Sequence, residues 1–470
     1  MGSLFSALNT AAGAIAAFND AIDVTQNNVA NANTAGYAKQ VPLMESVDIQ
    51  SSKGVLGGVT EQTHDTRNGL ADTAVQQQLS LLGQFQQLQT SLAPLQTALD
   101  VSANAPIPSA LNQLFQSFSQ WSTQPSNSIY QTAVITAAQA TATAFQQVAS
   151  QLNAARGSAS QNLQSTVAQI NQDAAKIQAY NTSIAAGNGN PGLSAQLEST
   201  LEDLSSLVNV QTLPGVGGTV TVLLGGQTPL VLGTQVNALQ VGADVANAVN
   251  GPPNATILDS NGKDITAQVT SGKLNGLLST ENNLIPSLIG GGQQVGGLNT
   301  LAKSVADTVN TLLEQGSTTP TPPYQAGTAL FSYSGAPPSG IAQSLQVVSG
   351  FSPSQLAATD PGPPAVSNGI ALKLAALDTN PAGQINGMSF SQYYGSLAAQ
   401  VGNAVSSANT SAAAQTQAVT QAKNLQQQVS GVSIDEEAVR LVQLQSSYQA
   451  ASKVVTVIDQ ITQALMNMVQ

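Results

Sequence analysis

Both ends of this 470-residue chain carry apolar stripes at helical spacing, and neither stripe has a partner nearby in sequence. At the start, Leu4, Leu8, Ala11, Ile15, Phe18, Ile22, Thr25 and Val29 advance by alternating steps of four and three. Such steps place them on one seam of a helix. The helix is predicted to stop in Asn31-Ala32-Asn33-Thr34-Ala35-Gly36, because Asn and Gly tolerate the left-handed backbone that ends helices. At the other end Leu441, Leu444, Tyr448, Ala451, Val455, Ile458, Thr462, Leu465 and Val469 step by three and four. Ser433 and Glu436 read as a reciprocal capping box, and Asp435, Glu436 and Glu437 put negative charge at the positive helix start. Both stripes must be covered in space. The economical solution pairs the two helices as a coiled coil that then meets neighbouring subunits; separate docking on the central body is the alternative.

The stretch between the ends is also rich in helix. Val75, Leu79, Leu82, Phe85, Leu88, Leu92, Leu95 and Leu99 mark one, with Pro94 read as a kink or boundary. A longer one spans about Tyr130 to Ala186, with Gly157 read as a bend. Left unbroken it would reach roughly 80–90 Å, a length that suits a rod-shaped body. Gly217 to Leu232 reads as a hairpin, and Asn254 to Val269 as another around Asn261-Gly262. Residues 317–365 are rich in Pro, Gly and Ser. The expected fold is mainly α with inserted β-rich lobes on an elongated multi-domain stem. Residues 1–40 and 430–470 form the terminal coiled-coil domain. Residues 41–205, 273–316 and 366–429 form the helical stem, and 206–272 and 317–365 the β-rich outer lobes.

Only 8% of residues are charged, against about 25% in typical soluble proteins, and the net charge is −12. A surface made mostly of Gln, Ser, Thr and Asn repels its copies weakly. No cluster of Lys and Arg exists to displace counterions from phosphates, so nucleic acid is not an expected partner. The absence of cysteine excludes disulfides, thiolate metal sites and cysteine nucleophiles. No apolar run reaches the roughly 18 residues of a membrane span, so no membrane anchor is expected. Gly2 followed by Ser6 fits a myristoylation pattern that matches often by chance, and residues 1–20 lack the basic start of a signal peptide.

The search for chemistry is short. His64 is the only histidine and reads as an exposed loop residue. Carboxylates adjacent in a helix point apart, so Asp435, Glu436 and Glu437 do not converge on a cation. Gly290 to Gly297 lacks the Lys-Ser/Thr pair of a phosphate loop and reads as a break between helices. No Gly-x-Ser-x-Gly elbow is present. No catalytic constellation, metal or cofactor is expected.

Asn27-Asn28-Val29-Ala30-Asn31-Ala32-Asn33-Thr34-Ala35-Gly36-Tyr37 resembles the N-terminal signature of the flagellar rod, hook and hook-associated proteins, with Ala35 where that family usually has Pro. Ser430-Gly431-Val432-Ser433-Ile434-Asp435-Glu436-Glu437, with Tyr448-Gln449-Ala450 after it, resembles the matching C-terminal signature. The positions that carry the likeness are Asn31, Asn33, Thr34, Gly36, Tyr37, Gly431, Asp435 and Glu436. Gln40, Ser430-Gly431-Val432 and the passage from Leu201 into Leu232 are similar to the hook-associated branch. The likeness is close over residues 1–60 and 425–470 and looser over 195–315. It departs at Gln196-Leu197-Glu198-Ser199-Thr200, where a more charged segment is usual.

The resemblance implies a structural subunit joining hook to filament, without catalysis. It implies export by the flagellar type III apparatus with an intact N-terminus, after a cytoplasmic export chaperone has held the C-terminal helix. It implies a short helical ring of copies of the chain on the extracellular flagellum, between hook protein and an adjoining hook-associated protein or flagellin. The paired termini would form the inner tube. Leu4, Leu8, Ile15, Phe18, Ile22, Val29, Leu441, Leu444, Tyr448, Val455, Ile458 and Leu465 are then the expected assembly interface. The competing readings are a hook or distal-rod subunit, a secreted binding protein acting through its β lobes, and an enzyme inserted in the middle.

Overall fold

A computed structural model describes residues 2–47, 58–102, 104–335, 338–379 and 385–468. The helices are α1 (Gly2–Ala30), α2 (Gly69–Ala98), α3 (Pro106–Thr123), α4 (Ser128–Ala185), α5 (Pro191–Leu207) and α6 (Gly272–Ser279). After them come α7 (Ile285–Ile289), α8 (Gly297–Gln315), α9 (Ile341–Ser344), α10 (Gly369–Ala375), α11 (Phe390–Ser430) and α12 (Ile434–Met468). Strands β1 (Gln40–Val47) and β2 (Gly58–Asp65) form an antiparallel ladder beside α1. Strands β3 (Val210–Pro214), β4 (Val220–Leu224), β5 (Thr228–Leu232) and β6 (Gln235–Val236) form an antiparallel meander in that order. Strand β7 (Gln240–Asp244) pairs with β8 (Asn254–Leu258), and β9 (Phe331–Ser332) with β10 (Gln346–Val347).

Helix α4 is the spine of the body. Its 58 residues run unbroken past Gly157, over roughly 85–90 Å. Gly157 does not interrupt the helix, because a lone glycine weakens a helix without ending it when both flanks are packed. The N-terminal half of α4, including Phe145 and Leu152, enters one core with α3, α8, α10 and the start of α11. Trp121 and Phe118 are fully enclosed there, and the Phe115 and Phe390 rings stack with centroids 6.2 Å apart. The C-terminal half, from Leu163 to Ile177, enters a second core with α5, α6 and the sheets. The body thus has two cores threaded on one helix.

Several expectations need correction. Pro94 sits inside α2 without ending it; Thr90, whose carbonyl it frees, is exposed and can bond water. Residues 206–272 hold strands β3 to β8, and this β-rich stretch is packed on the helical spine. Val222, Leu224, Leu230, Val231 and Ile257 fill the second core against α4, because a small sheet must bury one face on something. The turn at Gly225-Gly226 takes positive φ at both residues, as a tight hairpin requires. The Asn261-Gly262 turn forms, yet the chain then enters a 3-10 turn at Thr266–Gln268 instead of a second strand, and β8 pairs with β7. Residues 317–365, expected as a second β-rich lobe, hold only two-residue strands among the described residues. Leu330, Phe331, Ile341 and Leu345 belong to the first core. Side chains of α8 take the place of a neighbouring strand: Asn310 accepts from Leu330 N and Phe331 N, each at 2.9 Å, and Asn299 accepts from Ala342 N at 2.9 Å.

The hairpin β1–β2 falls in a stretch expected to be helical stem. Its ladder is largely exposed and contains Pro42, so no alternation of apolar residues betrays it. His64 lies on β2, exposed, and not in a loop.

Candidate assembly site at the joined termini

The two ends of the chain come together. Helix α12 packs along α1. The end of α1 meets the start of α12 through Asn28 and Glu437, so the two run antiparallel. The meeting point is a buried polar knot. Asn28 is fully buried and saturates its amide: Nδ2 donates to Gln40 O at 2.7 Å and to Glu437 Oε2 at 3.0 Å. Its Oδ1 accepts from Gln40 N and from Tyr37 Oη, both at 2.9 Å. Glu437, also fully buried, lies 3.1 Å from Lys39 Nζ, which bonds Glu436 Oε2 at 3.0 Å. Burial works against the Lys39 ammonium, but Glu436 and Glu437 outweigh it and hold its pKa above the ordinary lysine value. Burial, and then the Glu437 charge, raise the Tyr37 phenol.

Backbone bonds tie the knot to the body. Lys39 N donates to Ser430 O at 2.8 Å, Thr66 N to Lys39 O at 2.9 Å, and Ser430 Oγ to Thr66 O at 3.1 Å. The loop between α1 and β1 is self-bonded: Asn31 Nδ2 donates to Asn27 O, and Thr34 Oγ1 to Asn31 Oδ1. Gly36 has φ +72°, and a Cβ there would stand 2.3 Å from Ala195 O, so the loop presses on α5 as only glycine can. Asn33 is exposed. Gly431 comes after α11 in extended backbone and donates to Gln427 O at 2.8 Å. Ser433 Oγ accepts from Glu436 N at 3.4 Å, but the Glu436 side chain is drawn to Lys39 instead of returning to Ser433. The expected reciprocal box is therefore half made. Asp435 and Glu436 are exposed.

The seam residues divide by helix. On α12, Leu441, Leu444, Tyr448, Ala451, Val455, Ile458 and Thr462 are all half-buried, whereas Leu465 is exposed. Val469 and the Leu4 side chain lie outside the described residues. On α1 the buried face is Ala17, Ala21, Thr25 and Asn28, most of it one residue earlier than the seam read from the apolar pattern. Leu8, Ile15, Phe18 and Ile22 are half-buried on its flank, and Val29 is exposed. Opposite its seam, α12 bears a second apolar stripe: Val439, Val442, Val454, Val457, Ile461 and Met468, each at least 45% exposed.

Sequence reasoning does not single out Asn28, Lys39 and Glu437 as site residues, and takes Gln40 only as a family marker. Asn28 has a signal, as a polar residue inside an otherwise apolar helix end. Glu437 looks like any carboxylate of a first helical turn. Among the described residues no three His, Asp or Glu gather to hold a metal ion, and no helix is long and apolar enough to cross a membrane.

This joined-ends architecture has known counterparts. Residues 426–468 match the family model for the C-terminal part of flagellar basal body rod FlgEFG proteins. Residues 92–331, half of the chain, match the helical domain of flagellar hook-associated protein FlgK, and the chain belongs to that family. It is 26% identical to flagellar hook-associated protein 1 of Bacillus subtilis, with 99% of each chain covered. It is 40% identical to the protein of the same name from Escherichia coli over 79 residues, 17% of this chain and 14% of that one. The flagellar hook junction protein FlgK of Burkholderia pseudomallei has the same fold, with a TM-score of 0.66 and 16% identity, over 76% of this chain and all of that one.

Proposed function

We propose that this chain is a structural subunit of the hook–filament joint, that it carries out no catalysis, and that its terminal helix pair is the part that assembles. The observation that carries the reading is the contrast on α12. One face is set against α1 by the Asn28–Glu437–Lys39 knot, while the opposite valines, Ile461 and Met468 are exposed. Exposed apolar side chains gathered along one helix face mark a place for a partner. The partner is a second copy of the chain in a ring, with hook protein on one side and an adjoining hook-associated protein or flagellin on the other. In this reading Leu441, Leu444, Tyr448, Val455 and Ile458 serve pairing within the chain. Contacts between copies fall to the outer stripe and to the α1 flank of Leu8, Ile15, Phe18, Ile22 and Val29. Export through the flagellar type III apparatus, with a chaperone on α12, supplies the subunits to the outside of the cell. Immunogold labelling of isolated hook–filament structures tests the placement. Label confined to the junction supports it, and label along the hook or rod would assign the chain to those parts instead.

A further inference from the structure

Beneath the knot, where the loop of residues 31–39 rests on the body, lies a cluster with more anions than cations. Glu198 on α5 and Asp72 on α2 are both buried. Arg67 NH1 stands 3.4 Å from Glu198 Oε2 and 3.9 Å from Asp72 Oδ2, while its NH2 donates to Gly36 O at 2.7 Å. Gln76 Nε2 donates to Glu198 Oε1 at 3.2 Å, and Gln426 Nε2, from α11, to Asp72 Oδ1 at 2.8 Å. Glu202 of α5 pairs with Lys423 of α11 at 2.9 Å, at the rim. Asp65, at the end of β2, adds a further negative charge felt at Asp72. Four carboxylates thus face one guanidinium and one ammonium.

Glu198 is the member with the least room for its charge. Burial first, and then the charge of Asp72, push its carboxyl up to about 7, against the pull of Arg67. The loop rests on the helix that bears it. A Cβ on Gly36 would stand 2.3 Å from Ala195 O and 2.9 Å from Ser199 N, so Gly36 lies on the turn of α5 that bears Glu198. Lifting the loop removes the Gly36–Arg67 contact and opens the side of the cluster that holds Arg67, Asp72 and Glu202 to water.

We propose that the joint between the terminal helix pair and the body is a proton-coupled latch, in which seating of residues 31–39 on α5 is accompanied by uptake of a proton on Glu198. Linkage sets the sign. A carboxyl raised in the seated state favours seating fully at pH values below its ordinary range, and that advantage is lost as pH rises through about 7. The latch is tight in mild acid and loose in mild alkali, wherever on the flagellum the protein sits.

Hydrogen exchange on the full-length monomer, expressed as protection factors, tests this at the Tyr37, Lys39 and Gln40 amides. These bond to Thr34 O, Ser430 O and Asn28 Oδ1. Their protection falls about tenfold between pH 6 and pH 8, while α4 amides hold steady, as a carboxyl that titrates at about 7 when seated and at its ordinary value when open requires. Glu198→Gln keeps an acceptor for Gln76 and flattens the dependence. Flat protection in the unaltered chain, or an undiminished slope in Glu198→Gln, overturns the proposal. Should that variant fail to fold, carbon-13 titration of Glu198 in the unaltered chain decides. A midpoint near neutrality upholds the latch, and one at the ordinary value of about 4.3 sinks it.

Discussion

The body and the terminal helix pair use the same apolar periodicity and reach opposite degrees of burial. In the body, α3 alone encloses Ile107, Leu111, Leu114, Phe118 and Trp121. Helix α12 is nearly twice as long, at 35 residues, and the one buried side chain among its described residues is the carboxylate of Glu437. A helix held by side chains in a core is stable by itself. A helix fixed at one end by a polar knot, with half-covered apolar residues beyond, is positioned without being completed. The difference separates residues that make the fold from residues kept available for a neighbour.

The comparison breaks most sharply at Phe118. Phe118→Ala leaves a cavity in the first core and should cost about 3–5 kcal/mol of unfolding free energy, measured by denaturant titration of the monomer. A loss below about 1 kcal/mol would mean that the body is packed no better than the ends.

Glu437→Ala sharpens the comparison at the knot. Asn28 and Lys39 lose their common partner, and a stranded buried polar group costs about 1–3 kcal/mol. That cost should be local. Protection at the Gln40 amide and in the first turns of α12 falls, while the main melting transition stays in place. A fall of the main transition by the same amount would make the terminal pair part of the body's cooperative unit.

The smallest effect on the monomer belongs to Val457→Asp. Val457 is 52% exposed, so a carboxylate there keeps its water and stability changes by no more than about 0.5 kcal/mol. Filament growth on hooks should nevertheless fail, with flagellin released into the medium and export of the variant checked separately. Ile458→Asp, half-buried on the other face, should weaken the pairing with α1 as well. Normal swimming by cells carrying Val457→Asp would remove the outer stripe from the assembly surface.

Much of this was legible in the residues. The extents of α1, α4 and α12 could be read from caps and periodicity. So could the hairpin of β4 and β5 and the break at Ser430-Gly431. What periodicity supplies is the presence of a stripe, and not which azimuth of the helix is packed. In α1 the tightly packed face is built from Thr25, which the stripe contains, and from Ala17, Ala21 and Asn28, small or polar residues that a search for large apolar ones passes over. One residue of offset turns a helix by about 100°, enough to leave Val29 in solvent. Glu437 was illegible because its burial is imposed by Asn28 and Lys39, some 400 positions away in the chain. Residues 317–365 misled because Pro and Gly announce irregular backbone without saying whether a core lies beneath it.

Helix α4 has a mechanical consequence. Two packed units joined by a linker can swivel, and a bending load falls on whatever interface lies between them. Here the same rod is built into both units, so a load applied at one end reaches the other through continuous hydrogen-bonded backbone. The body should behave as a strut. Compliance is then concentrated where the terminal pair joins the body, at Gly431 to Ser433 between α11 and α12 and at the loop of residues 31–39 between α1 and β1.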